Sequence, residues 1–180
     1  MGARQWSLRQ ATHEDAPLLI PLIERSVLAL QAEDYSVSQL ESALGTVYGV
    51  DMALIVDGTY YLVEAAGTIV GCGGWSRRAT LFGGDHSAGR DAALLDPKVD
   101  AARVRAMYTH PDHTRKGVGR LILDACEAAA RAEGFERVEM AATMGGVPLY
   151  RACGYHDIEP FEAVTSTGYR VPLIRMGKAL

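Results

Sequence analysis

Residues 104–123 read VRAMYTHPDHTRKGVGRLIL, and this stretch decides how the rest of the chain is interpreted. It begins as a strand-like run that ends at Pro111, and from Gly117 onward apolar side chains recur at the helical period. The helical positions are Val118, Leu121, Ile122, Ala125 and Ala129. A glycine at a helix start lowers stability unless the backbone must approach another group closely. Gly117 and Gly119 therefore indicate a close approach where the strand meets the helix.

A phosphate would satisfy the chemistry of this connection. The first turn of a helix carries unpaired N–H groups and the positive end of the helix dipole. Glycines let an anion reach these groups, and Arg115, Lys116 and Arg120 add positive charge. We expect a phosphate or pyrophosphate on the backbone of residues 115–120, although a tight turn with solvated basic side chains fits the spacing equally well.

Neither nucleotide-binding motif is present in this stretch. A Walker loop requires G-x-x-x-x-G-K-[ST], which the chain lacks here. A dinucleotide fold requires a third glycine in G-x-G-x-x-G, where this chain has Ile122. The spacing therefore fits neither of these two nucleotide-binding motifs.

Composition restricts the class of protein further. The chain has 180 residues, 48% of them apolar, which suits one domain with a sizeable core. The net charge of −4 gives no basic excess for nucleic acid. No apolar run approaches the ~18 residues of a membrane span, and the N-terminal residues lack the apolar core of a signal peptide. Cys72, Cys126 and Cys153 are too scattered for a disulfide framework. We expect a cytoplasmic protein with reduced thiols and no membrane or nucleic-acid partner.

The remaining patterns predict a mixed α/β sheet. We expect a first strand at residues 6–11, a helix from Thr12 or Asp15 to about Gln31, and a short helix capped by Ser36 and Gln39 or by Ser38 and Glu41. A hairpin should turn at Ala66–Gly67. Later strands are predicted at residues 102–110, 135–143, 155–161 and 169–180, with a short helix around Leu149 and Tyr150. Residues 76–101 read as a long loop with a helical turn near Ala92.

The stretch at 104–123 resembles the acetyl-CoA binding motif of the GNAT superfamily of N-acetyltransferases, a strand and loop followed by [QR]-x-x-G-x-[GA] opening a helix. ATMGGVPLYRACGYHD, residues 142–157, resembles the family's strand and tyrosine-bearing helix. LVEAAGTIVGCGGW, residues 62–75, resembles its second and third strands, so the resemblance covers about residues 4–180. The chain departs from the family pattern at Thr114, at Thr143 and in the long 76–101 insert.

The resemblance implies a fold and a set of site residues. The fold would be α/β of the mixed, α+β type: one GNAT-like domain over residues 1–180, with a central, mostly antiparallel sheet flanked by helices. The sheet would splay between the strands near 104–109 and 137–142, with the cofactor in the gap. The backbone of Met107 and Thr109 would bind the pantetheine arm, and Thr143 stands where many members carry Asn. Amides for the pyrophosphate would come from Arg115, Lys116, Gly117, Val118, Gly119 and Arg120.

The implied activity is N-acetyl transfer from acetyl-CoA directly to a primary amine of a small molecule or protein, without a metal or a covalent acetyl-enzyme. Tyr150 matches the family's general acid, and a tyrosine with a pKa near 10 suits a departing thiolate of similar basicity. The alternative is a non-catalytic acyl-CoA binding or sensing module on the same fold. A third hypothesis is a generic phosphate or nucleotide binder. For the assembly state, a homodimer is an alternative to a monomer.

The general base and the acceptor site are less well defined. Strand 102–109 contains no carboxylate, so Glu64, Glu139, Asp85, His86 or a water chain are the alternatives. Arg77 and Arg78 are candidates for binding an acceptor carboxylate or the CoA 3′-phosphate, with an exposed basic pair as the alternative. Trp75, Tyr35 and Tyr48 are candidates for lining an acceptor pocket, and the insert is predicted to cover it. His110, Asp112 and His113 lack a fourth ligand nearby, which argues against a metal site.

Overall fold

One sheet of seven strands organises the computed structural model, which describes residues 6–180. Residues 1–5, the start of the segment considered for a signal peptide, lie outside the described residues. The strands are β1 (Ser7–Gln10), β2 (Tyr60–Ala65), β3 (Thr68–Ser76), β4 (Ala102–Thr109), β5 (Arg137–Ala142), β6 (His156–Val164) and β7 (Arg170–Ala179). Their order is β1-β2-β3-β4-β5-β7-β6, and only β4 and β5 pair in parallel.

Within residues 6–180, five α-helices accompany the sheet: α1 (Ala16–Leu30), α2 (Val37–Ala43), α3 (Met52–Val56), α4 (Val118–Ala132) and α5 (Val147–Ala152). The predicted capping box begins α2, since Gln39 N–H donates to Ser36 Oγ and Ser36 N–H donates to the Gln39 side chain. Pro21 lies inside α1 without ending it. Helix α3 was not predicted because five residues are too short to show a period. None of the described helices has the length and apolar character required to cross a bilayer.

The sheet opens in its middle, as the mixed α/β prediction with a splayed sheet requires. β4 and β5 pair only at Ala102–Val138 and Arg103–Glu139, after which the two strands separate. On its other side β4 stays paired with β3, with a register shift at Cys72–Gly74. Ala106 has a left-handed φ of 52°, a conformation that a non-glycine residue adopts only under constraint. The predicted fold class is confirmed.

Two hydrophobic clusters form the core. One joins α1 and α2 to the sheet through residues such as Leu19, Val27 and Leu62. The other joins α4 to the sheet through residues such as Trp75 and Ile122. Two of the three cysteines belong to these clusters and are fully buried, Cys72 and Cys126. Burial raises the pKa of Cys72 to about 12 and also raises that of Cys126, so both are small apolar core residues.

The insert has no helical turn near Ala92, so that prediction is wrong. Residues 77–101 contain no helix and no extended strand; instead the segment folds back on itself through an isolated bridge between Arg78 and Leu94. Ala79 N–H donates to Ala93 O at 2.9 Å, and Thr80 N–H donates to Asp91 O at 3.0 Å. These hydrogen bonds between the two ends of the insert use the backbone groups that a helical turn would have paired locally.

A buried carboxylate ties the insert to the sheet. Asp51 is fully buried, and its two oxygens contact Arg90 at 2.9 Å and Arg105 at 2.8 Å. Arg105 also donates to Gly83 O at 2.6 Å, and Arg90 donates to Gly84 O at 2.8 Å. The start of α3, the insert and β4 are therefore held together through one ion-pair network.

Asp51→Ala should destabilise the protein by about 3–5 kcal/mol, because it leaves the buried Arg105 charge without its partner. Urea denaturation followed by circular dichroism measures this loss. Asp157→Ala is the control, since Asp157 pairs with Arg151 at an exposed position where solvent screens the interaction. Equal midpoints for the two variants would contradict the assigned role of Asp51.

Candidate functional site

A cleft of about 470 Å³ opens where β4 leaves β5. It lies against the C-terminal half of β4, the beginning of α4, the segment around α5, and α1. The predicted site residues that line it are Met107, Thr109, Arg115, Gly117, Val118, Gly119, Arg120, Thr143 and Tyr150. Lys116 is the one predicted residue outside the lining, because its ammonium donates back to Asp112 O at 2.8 Å.

The beginning of α4 presents free backbone donors to this cleft. Gly117 is the N-cap residue and supplies no side-chain cap, and the first intrahelical bond runs from Leu121 N–H to Gly117 O at 3.0 Å. The N–H groups of Val118, Gly119 and Arg120 therefore have no acceptor within the helix. Together with the nearby guanidinium groups they make an anion-binding arrangement.

Gly117 and Gly119 have different structural roles. Gly117 has a φ of 89°, which side chains strongly disfavour, and nothing lies within 4 Å of where its Cβ would be. A Cβ on Gly119 would lie 2.8 Å from Leu149 Cδ2. The close approach inferred from sequence therefore involves α5 packing on α4, while Gly117 shapes the loop that carries the free amides.

Helix α1 contributes residues that the sequence interpretation missed. Ser26, Leu30 and Gln31 line the cleft, and Ser26 Oγ accepts a hydrogen bond from Thr109 N–H at 3.2 Å. The predicted backbone donor at Thr109 is therefore already engaged with α1. A signal existed in the sequence, since Ser26 and Gln31 are polar residues at buried positions of a helix that buries Leu19 and Ile23.

Tyr150 lies at the junction of two cavities. It is 8% exposed, and together with Thr143 it lines both the cleft and a smaller cavity of about 70 Å³ between the separated strands, which we call the splay cavity. A Cβ on Gly146 would lie 2.8 Å from Tyr150 Cε2, so glycine leaves room for the ring. Burial raises the pKa of Tyr150, so its hydroxyl keeps its proton at neutral pH.

The splay cavity continues toward the insert. Besides residues shared with the cleft, its lining includes Tyr48, Phe82, Met140 and Leu173. Tyr48 also lines a third, largely apolar cavity of about 620 Å³, the outer pocket, formed by α1, residues 44–52 and residues 84–86. Two of the proposed base candidates, Asp85 and His86, line this outer pocket and not the splay cavity.

The other charged candidates are paired within the chain and line none of these three cavities. Glu64 accepts from Arg9 at 2.9 Å, and Glu139 accepts from Arg175 at 3.0 Å and contacts Arg103. Each guanidinium of the basic pair likewise has a carboxylate partner at 2.7 Å: Glu133 for Arg77 and Asp57 for Arg78. These groups stabilise the fold locally and leave the cavities without their charges.

The aromatic candidates also differ in whether they line a cavity or stabilise the fold. Trp75 is buried in the core with its ring 6.0 Å from that of Phe135. The Tyr35 hydroxyl donates to Pro172 O at 2.6 Å and accepts from Met144 N–H, so it connects segments of the fold. Of the three, only Tyr48 lines a cavity described here.

The histidine loop shows no metal site. Arg25 Nη1 lies 3.0 Å from Nε2 of His110, and the ring of His113 packs against those of His110 and Trp6. Within residues 6–180 no group of three or more His, Cys, Asp or Glu side chains is placed to hold a metal ion.

Several solved structures of known proteins have the same architecture as this chain. No curated protein sequence matches the chain significantly. Among solved structures, a GCN5-related N-acetyltransferase from Rhodopseudomonas palustris superimposes with a TM-score of 0.74 and 22% identity over 100% of this chain and 99% of its own. The PaiA N-acetyltransferase of Thermoplasma acidophilum in complex with coenzyme A gives 0.66 and 15% over 97% and 99%. YncA of Salmonella typhimurium with its cofactor acetyl-CoA gives 0.64 and 18% over 98% and 95%.

These three solved structures share the fold of this chain at low sequence identity. The sequence profile of the Acetyltransferase (GNAT) family matches residues 25–155, which is most of the chain and includes the cleft from Ser26 to Tyr150. The protein belongs to the GNAT acetyltransferase family.

Proposed function

We propose that the protein is an N-acetyltransferase that moves an acetyl group from acetyl-CoA directly to a primary amine of a small molecule or protein. The observation that carries this proposal is the continuous lining from the free amides of α4 to Tyr150 in the opened sheet. The cleft brings an anion-binding helix start, an unpaired strand edge and a protonated hydroxyl together in one place.

The residues present suit acetyl-CoA. The amides of Val118, Gly119 and Arg120, with the Arg115 guanidinium beside them, suit a diphosphate. Beyond Arg103, the β4 edge that faces β5 has no strand partner, so its backbone groups suit the amide-rich arm. When bound, acetyl-CoA supplies the acetyl group as a reactive thioester. Complexes of the Thermoplasma and Salmonella proteins with coenzyme A or acetyl-CoA agree with this assignment.

Two groups of the chain would carry the chemistry. Tyr150 holds a proton on its hydroxyl oxygen where the cleft meets the splay cavity, and it would donate that proton to a developing thiolate. A backbone amide near Met107, on the open part of β4, would polarise the thioester carbonyl. We assign the anion-binding amides of residues 115–120 and Thr143 to holding the cofactor.

The insert would cover the acceptor side of the site. Phe82 lines the splay cavity, and Gly84, Asp85 and His86 line the outer pocket. No residue of 76–101 lines the cleft assigned to acetyl-CoA. The acceptor would therefore reach Tyr150 from the side opposite the cofactor.

A non-catalytic acyl-CoA sensor is the second candidate. It would need the α4 amides and the cleft, but it would not need a proton donor at Tyr150. A nucleotide binder would require affinity for nucleotides above that for CoA. Calorimetric titration with acetyl-CoA, followed by amine-dependent release of free thiol, separates the three functions.

Gly117→Ala should weaken acetyl-CoA binding about tenfold, because a left-handed alanine costs about 1–2 kcal/mol and favours a loop with displaced amides. Calorimetry measures the dissociation constant. Gly168→Ala is a matched control, since its φ of 86° is nearly the same and its Cβ also meets open space. A similar loss of affinity in both variants would contradict the role of the α4 loop.

Tyr150→Phe should lower kcat at least a hundredfold while acetyl-CoA affinity stays within about twofold, because only the proton donor is lost. Stopped assays of thiol release measure kcat. Tyr155→Phe is the control, because Tyr155 is equally buried but lines none of the cavities. Since burial raises the pKa of Tyr150, the wild-type kcat should not decrease as the pH is raised to 10. Full turnover by the phenylalanine variant would favour the sensor.

Phe82→Ala should raise the acceptor KM about tenfold and leave the acetyl-CoA dissociation constant unchanged, because Phe82 contributes only to the acceptor side. Steady-state kinetics with a saturating cofactor give the first value and calorimetry the second. Proportional losses in both would show that the insert supports the whole fold and not the acceptor site.

A further inference from the structure

Among the buried polar side-chain atoms of residues 6–180 that lack a hydrogen-bond partner, two belong to residues that line the splay cavity together with Tyr150. Gln31 is 8% exposed, Tyr48 is 5% exposed, and both line the splay cavity. Within residues 6–180, neither Gln31 Oε1 nor the Tyr48 hydroxyl makes a hydrogen bond. Buried polar atoms are nearly always paired in folded proteins, and because these two share one cavity, a single ligand there could supply the missing partner of both.

The splay cavity offers nothing to neutralise a positive charge. Its polar lining consists of Gln31, Tyr48, Tyr108, Thr143 and Tyr150. Burial raises the pKa of all three tyrosines, so they stay uncharged. Among the described residues, no carboxylate, imidazole or amine lines the cavity.

The charged side chains of the surrounding elements are engaged elsewhere. Asp51 is paired with Arg105 beneath the insert, and Glu139 of β5 is paired with Arg103 and Arg175. From α1 and the insert, Glu24, Asp85 and His86 line the outer pocket. An ammonium group in the splay cavity would lose its hydration without gaining a counter-charge.

Proton balance leads to the same conclusion. In the transfer, the amine nitrogen forms a bond to the acetyl carbon, and the carbon–sulfur bond breaks with its electron pair on sulfur. An uncharged amine releases one proton and the sulfur takes up one, by way of Tyr150. An ammonium ion would release a second proton, for which the splay cavity has no titratable base.

We propose that the acceptor is a weakly basic amine with an apolar body, and that it binds uncharged with its N–H groups donating to Gln31 Oε1 and the Tyr48 hydroxyl. Tyr48 also lines the outer pocket, where Ile20, Ile23 and Met52 provide the apolar surface for the body. This inference rests on the proposed acetyltransferase function. An α-amino group has an ordinary pKa near 8 and a lysine ε-amino group near 10.4, so their uncharged fractions at pH 7 differ roughly 200-fold.

The test uses two acceptors of nearly equal shape, 2-phenylethylamine and its less basic 2,2-difluoro analogue. Thiol release from acetyl-CoA gives kcat/KM for each between pH 6 and 10. We expect at least tenfold preference for the difluoro amine at pH 7. We also expect the pH at which kcat/KM reaches its plateau to follow the pKa of each amine, because only the free base binds.

The outcomes separate this inference from the proposed function. A plateau at one pH for both amines would reveal a titrating enzyme base and overturn the inference, as would a preference for phenylethylamine at pH 7. Acetyl-CoA binding with no acetylation of either amine would also overturn it and leave the function standing. Failure of acetyl-CoA to bind would overturn both.

Two variants test the residues themselves. Gln31→Glu places a carboxylate in the splay cavity and should shift the ratio of kcat/KM at least tenfold toward phenylethylamine, because an ammonium then has a partner. Tyr48→Phe removes one acceptor atom and should raise KM for the difluoro amine about tenfold with acetyl-CoA affinity unchanged. Tyr155→Phe is a matched control that should change neither value, because the Tyr155 hydroxyl is also buried without a partner but lines none of the three cavities. An unchanged ratio in the Gln31 variant would exclude Gln31 as a contact of the amine.

Discussion

The separation of β4 from β5 after Arg103 is the constraint on which the rest of the structure depends. Two strands that diverge leave backbone groups without partners and a gap that side chains must fill or a ligand must occupy. β4 stays paired with β3 through a register shift, and the hydroxyl of Tyr60 donates at 3.0 Å to the carbonyl oxygen of Ala106, the left-handed residue. The cleft, the splay cavity and the position of Tyr150 all follow from this opening.

Charge is arranged so that the opening itself is uncharged. The carboxylates nearest in sequence to the site elements are paired with arginines, as Glu139 with Arg175 and Asp51 with Arg105. Arg115 and Arg120 line the cleft instead at the beginning of α4, where the first N–H groups of the helix have no intrahelical acceptor. The cleft thus carries positive charge at the beginning of α4, whereas the splay cavity is lined by uncharged side chains. Under the proposed function, this difference would give the two substrates different entrances to Tyr150.

The insert shows how an irregular segment can be held in place against a sheet. It has little regular structure of its own. Arg90 and Arg105 nevertheless donate hydrogen bonds to its backbone carbonyl oxygens and also contact the buried carboxylate of Asp51. This anchoring carries Phe82 to the splay cavity, and the Phe82 ring packs 5.7 Å from that of Phe161. A long loop held at its middle can shape a pocket without paying the full entropy of ordering during binding.

The sequence by itself determined the family, the seven strands, every described helix except α3, the glycine loop before α4 and the tyrosine on α5, because each is encoded in a short contiguous pattern. Only the tertiary structure decided that Ser26, Gln31 and Tyr48 meet β4, and that Arg77 and Glu139 are consumed in ion pairs. These contacts join residues far apart in the chain, so no local period or motif reports them. The sequence therefore predicted the strand, glycine loop and helix that border the cleft, whereas the splay cavity and the outer pocket depend on packing between distant segments.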